Sequence, residues 1–130
     1  MSANSSREIR STVTSEGTLE LSIAVQERPV PGDNEVLVEV GAAPINPSYL
    51  ALLISFAAKL DTLSVSGSGD QTVTSMELHP AMMGALKPRM GESMPVGNEG
   101  GGVVVDAGVN AKHLIGKTVG AAGGAMYSEY

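Results

Sequence analysis

At 130 residues the chain is about one domain long, and its 16 glycines and 7 prolines fall short of the roughly 25–30% content that marks low-complexity disorder. With 42% hydrophobic residues, one packed core is expected. No cysteine is present, which excludes a disulfide scaffold and thiolate-held zinc or iron–sulfur, and a formal net charge of −6 with scattered bases argues against nucleic acid as a partner.

Residues 1–6 are small and polar and read as a frayed end. An extended stretch over residues 8–14 follows, punctuated by Glu16-Gly17. Leu19, Leu21, Ile23 and Val25 then alternate with Glu20, Ser22, Ala24 and Gln26, the period of two of a β-strand, so the pair reads as a hairpin. Pro29 to Asn34 is a run of turn residues, and Val36, Val38 and Val40 alternate along the next strand. At Asn46-Pro47 the period changes. Asn is a favoured N-cap and proline is favoured at the first helical position, which predicts a helix bearing the stripe Leu50, Leu53, Ile54, Ala57 and Leu60. Residues 63–75 have no periodic apolar face and read as a mobile surface loop. Met82, Met83, Leu86 and Met90 have the spacing of a short helix that Pro88 must end or kink. Beyond residue 95, glycines interleave with Val103-Val104-Val105, Thr118-Val119 and Ala121-Ala122, predicting short strands joined by tight turns as in a small barrel. Residues 125–130 still read as strand.

No stretch approaches the roughly 18 apolar residues of a membrane span, and the polar N-terminus has no apolar signal region. A cytoplasmic protein is the expectation, with no membrane partner. His79 and His113 stand 34 residues apart, with no cysteine and no close carboxylate pattern, so no metal site is expected.

Two clusters carry candidate chemistry. In Pro95-Val96-Gly97-Asn98-Glu99-Gly100-Gly101-Gly102-Val103-Val104-Val105 the glycines precede β-branched residues, whereas a nucleotide fingerprint needs a strand before and a helix after. The glycines then serve unusual backbone angles or close approach at the start of a strand, and Glu99 could equally pair with a lysine. In Ala43-Pro44-Ile45-Asn46-Pro47-Ser48-Tyr49, a strand-to-helix junction with its cap accounts for Asn46 about as well as chemistry does.

These two clusters, in this order, resemble the amino-terminal half of the medium-chain dehydrogenase/reductase superfamily. Ile45-Asn46-Pro47-Ser48 and Gly97-Asn98-Glu99-Gly100 are most similar to its zinc-independent 2-enoyl thioester reductases and quinone reductases. The resemblance covers roughly residues 8–130 and implies a mainly β, GroES-like, partly open barrel with short helices. It further implies that the Rossmann domain which binds NADPH is absent here and that the chain is a truncated part of a whole enzyme. In the zinc alcohol dehydrogenases the positions of Asn46 and Asn98 are metal ligands; their replacement implies a site without zinc. Carried over by position, Asn46 and Tyr49 are the candidate catalytic residues, and Pro47, Asn98 and Glu99 line the substrate and cofactor cleft. The family has Asp where this chain has Tyr49, and no later tyrosine matches its hydrogen-bond donor. The implied function is the substrate-side domain of an NADPH-dependent reductase of α,β-unsaturated thioesters or quinones, inactive without its cofactor domain. The alternative is a non-catalytic GroES-like binding or assembly module. A homo-oligomer is expected, through an unpaired strand edge at residues 126–130.

Overall fold

In the computed structural model, which describes residues 4–130 apart from the side chain at residue 52, the period-two segments form strands. β1 (Ser5–Val13) and β2 (Thr18–Glu27) are neighbours, joined by a turn in which the Thr14 N–H donates to the Thr18 carbonyl at 2.8 Å. The expected hairpin is present, and it starts earlier than expected: Ser5 and Ser6 are already in β1, and Ser6 is buried. Residues 1–3 of the expected frayed end lie outside the described residues. β3 (Val36–Ala42) follows the turn-rich segment, as its valine alternation predicts.

The helix expected after Asn46-Pro47 is much shorter. A 3-10 turn (Pro47–Tyr49) leads into α1 (Leu50–Leu53), and at Ser55 the backbone takes φ +59°. Competing backbone pairing is the cause. The His79 N–H donates to the Ala57 carbonyl at 2.9 Å and the Lys59 N–H to the Glu77 carbonyl at 2.8 Å, so the groups a longer helix needs are used in extended pairing.

The expected loop over residues 63–75 is largely structured: β4 (Ser64–Ser66) pairs antiparallel with β5 (Val73–Glu77), which pairs antiparallel with β2. Its serines and threonines hid it, since β4 is exposed throughout and needs no apolar face. α2 (Met83–Leu86) matches the expected short helix, and the chain passes from it into a 3-10 turn at Lys87–Arg89, around Pro88. β6 (Ser93–Pro95), β7 (Glu99–Ala107) and β8 (Thr118–Ala122) complete the strands among the described residues. The fold is mainly β, with few, short helices and open sheets, and no described helix is long and apolar enough to cross a membrane.

Where one core is expected, two compact units form, each with its own. Residues 9–24 and 45–96 gather the long side chains: Val13, Leu19, Met76 and Leu78 are buried, and Met83, Leu86 and Met90 pack against them. In the sheet with order β4-β5-β2-β1-β6, β4 pairs with β5, β2 with β5 and β1 with β6 within this unit. Residues 4–8, 25–44 and 97–130 form the other, where β7 lies between β3 and β8 in an antiparallel sheet. Its strands are rich in glycine and alanine, and they condense around Val104, Ala107 and Ala111 with Val36, Val38, Leu114 and Val119.

Candidate functional site

The glycine-rich cluster builds an open groove in the second unit. Gly97 has φ +94°, and a Cβ there would stand 2.7 Å from the Tyr127 nitrogen, so only glycine lets the 126–127 backbone lie against the start of β7. Two residues on, β7 begins at Glu99 and pairs with β8 from Glu99–Ala122 to Val103–Thr118. Gly102 is buried between strands: a Cβ would overlap the Glu39 carbonyl oxygen outright and meet the carbonyl carbon at 2.8 Å. The groove of about 480 Å³ is lined by Ala42, Pro44, Glu99, Gly100, Gly101, Gly120, Ala121 and Ala122. Its walls are small side chains and peptide groups, and Glu99 brings the one carboxylate among them.

A polar clamp holds the wall nearest the carboxyl end. The Tyr127 hydroxyl donates to the Pro44 carbonyl at 2.8 Å, and the Val40 N–H donates to the Glu129 carbonyl at 2.9 Å. Glu129 in turn forms an ion pair with Arg7 and accepts the Arg7 backbone N–H at 2.9 Å. The hydrogen bonds from the Arg7 side chain, then its amide, hold the Glu129 carboxyl below its ordinary pKa. Arg28 stacks over the Tyr130 ring, 4.3 Å from its centroid. Residues 125–130 are therefore not the free strand expected of them. Ala125, at φ +66°, breaks the extended run, and a single bridge between Glu8 and Ser128 is its only strand-like pairing among the described residues.

The predicted site residues divide between the two units. Glu99 lines the groove and Asn98 precedes it, exposed, its carbonyl accepting the Gly123 N–H at 2.8 Å. Asn46, Pro47 and Tyr49 belong to the other unit, together in the 3-10 turn, where the Tyr49 N–H donates to the Asn46 carbonyl at 2.9 Å. Asn46 has the extended backbone of a cap residue but makes no side-chain cap bond, which corrects the capping role expected for it. Sequence reasoning missed Ala42, Pro44 and Gly120 to Ala122 as lining residues and Tyr127 as a support. The alternation of Gly and Ala with Val marked their strands, but residue type alone gave no sign of a groove.

No family model matches the chain, and no curated protein matches it.

A dinucleotide does not fit the described residues. Gly100, Gly101 and Gly102 lie inside a strand instead of ahead of a helix, and α1 and α2 have four residues each, too short for a pyrophosphate cradle. Among the described residues no three His, Asp or Glu side chains group as metal ligands.

Proposed function

We propose that the chain is the substrate-side domain of an NADPH-dependent reductase of the medium-chain dehydrogenase/reductase type, with a GroES-like fold, and that its groove takes a small enoyl thioester or quinone. One observation carries this: Glu99 and Gly100, from the resembling motif Gly97-Asn98-Glu99-Gly100, line the open groove together with Gly101. Its volume falls within the roughly 300–1,000 Å³ of small-ligand sites. A glycine floor lets a flat conjugated group lie against peptide N–H and C=O groups, which suits an unsaturated acyl chain or a quinone ring better than a bulky aliphatic one. The groove's lining includes no lysine or arginine, on a chain of net charge −6, so an uncharged conjugated carbonyl is favoured over a free carboxylate. The chain's own part is to bind and orient this substrate; since a dinucleotide does not fit here, the reductant falls to a separate domain.

Calorimetric titration with crotonyl-pantetheine and with menadione tests this. Saturable binding of at least one, lost in Ala122→Leu because the larger side chain fills the groove, is the expected outcome. No binding of either at millimolar concentration overturns the assignment and leaves the non-catalytic module.

A further inference from the structure

The edge expected to lie open at residues 126–130 is covered, and a different one is bare. The sheet with order β3-β7-β8 has two margins. On β3, the Val40 N–H is taken by the Glu129 carbonyl. On β8, the Gly123 N–H donates to the Asn98 carbonyl at 2.8 Å and the Val104 N–H to the Lys117 carbonyl at 3.0 Å. Antiparallel pairing alternates, so the peptide groups of residues 117, 119, 121 and 123 turn toward β7, and those of Thr118, Gly120 and Ala122 turn outward. All three are exposed, and among the described residues no strand lies beyond them.

Sheet margins are ordinarily blunted by charge, proline or brevity. β6 contains Pro95, and β4 is three residues long. β8 has none of these devices: residues 118–124, Thr-Val-Gly-Ala-Ala-Gly-Gly, hold no charge and no proline. A Cβ at Gly120 would meet nothing within 4 Å.

We infer that β8 is the pairing edge for a second copy of this chain, antiparallel about a two-fold axis at Gly120. Around that axis Gly120 meets its own counterpart and Thr118 meets Ala122 of the partner subunit, so each facing pair exchanges two backbone hydrogen bonds. The outward positions are self-complementary in spacing and small in side chain, and the two-fold brings no like charges together within residues 118–124. On a chain of net charge −6 this neutral strip lets a second copy pair without setting like charges face to face. The two three-stranded sheets become one continuous sheet. Pairing of a five-residue strand covers far less than the roughly 1,200–2,000 Å² of stable interfaces, so the dimer is reversible.

Sedimentation equilibrium from about 10 µM to about 1 mM, with amide hydrogen exchange followed by NMR at both ends of the range, tests the pairing. A monomer–dimer equilibrium is expected, in which the amides of Thr118, Gly120 and Ala122 slow at least about tenfold at high concentration. Those of Val119 and Ala121, already turned to β7, should not change. Thr118→Lys should abolish the dimer even though it lowers the chain's net negative charge, whereas Thr118→Val should keep it. A monomer throughout, protection that rises on β4 or β6 instead, or a Thr118→Lys variant that still dimerises overturns the inference.

Discussion

Replacing Gly102 by alanine puts one methyl group where two strands leave no room for it. Gly102 is buried in β7 and faces Val40 of β3 in a stretch where the register shifts. The new Cβ would overlap the Glu39 carbonyl oxygen, with the carbonyl carbon at 2.8 Å and Val38 Cγ1 at 3.0 Å. Two of those neighbours are backbone atoms, so relief requires moving β3 away from β7, the most extensive contact between elements in the second unit. Overpacking typically costs about 1–3 kcal/mol, and a backbone clash belongs at or above the top of that range, so we expect about 3 kcal/mol. Two neighbouring glycines calibrate it. At Gly101 a Cβ would stand 3.2 Å from the Val119 carbonyl oxygen, and about 1 kcal/mol is expected of Gly101→Ala. At Gly120 it would meet nothing within 4 Å, so Gly120→Ala should be neutral or stabilising by up to about 1 kcal/mol, because alanine has less unfolded-state freedom to lose. Urea unfolding can be followed by tyrosine fluorescence in a chain without tryptophan, since two of its three tyrosines, Tyr127 and Tyr130, lie in the same unit as the substitutions. The midpoints should fall in the order Gly120→Ala, Gly101→Ala, Gly102→Ala at constant m. A Gly102→Ala variant within about 1 kcal/mol of the parent refutes the close packing of β3 on β7.

At Ser55, where φ is +59°, valine should destabilise by about 2 kcal/mol in urea, since a β-branched residue resists that backbone region, and it also removes the hydroxyl that accepts the Ala57 N–H at 3.2 Å. Ser55→Gly, which relieves the backbone but loses the same bond, should stay within about 1 kcal/mol of the parent, and a larger loss would count against the strain. The lowered pKa of Glu129 contributes stability that is present above the ordinary carboxylate pKa and is lost as pH falls through the lowered value. Glu129→Gln should therefore lower the urea midpoint at neutral pH and converge on the parent in acid; an unchanged gap at both pH values contradicts the Arg7 pairing. Exhaustive dialysis should leave no stoichiometric zinc by elemental analysis, because the proposed assignment puts Asn46 and Asn98 in the two positions where zinc alcohol dehydrogenases hold the metal, and an amide side chain is a poor ligand. One equivalent of retained zinc contradicts that.

Strands with period-two alternation were legible in the sequence: β2 and β3 stand where Leu19 to Val25 and Val36 to Val40 alternate, although burial follows the alternation only in part, since Val25 is exposed and the buried residue of β3 is Leu37, on the face opposite the valines. The glycine-rich β7 and β8 were legible through their β-branched neighbours. Elements defined by long-range pairing were not. The stripe from Leu50 to Leu60 has helical spacing, but the bonds from Lys59 to Glu77 and from His79 to Ala57 join residues far apart in sequence, and no local pattern announces them. β4 is invisible for the opposite reason: it is exposed, so nothing constrains its polarity. Of the candidate site, Glu99 and its glycines were found because a glycine cluster signals close backbone approach. Pro44 and Tyr127 were not, since their hydrogen bond spans 83 positions of the chain.

Whether the start of β7 holds an uncharged conjugated carbonyl compound is tested most directly by titrating the isotope-labelled chain with crotonyl-pantetheine and following amide chemical shifts. Saturable shifts are expected at Glu99, Gly100 and Gly101 and at Gly120, Ala121 and Ala122, with none on adding NADPH alone. Shifts that never saturate, or that saturate only around residues 46–49, would contradict that binding.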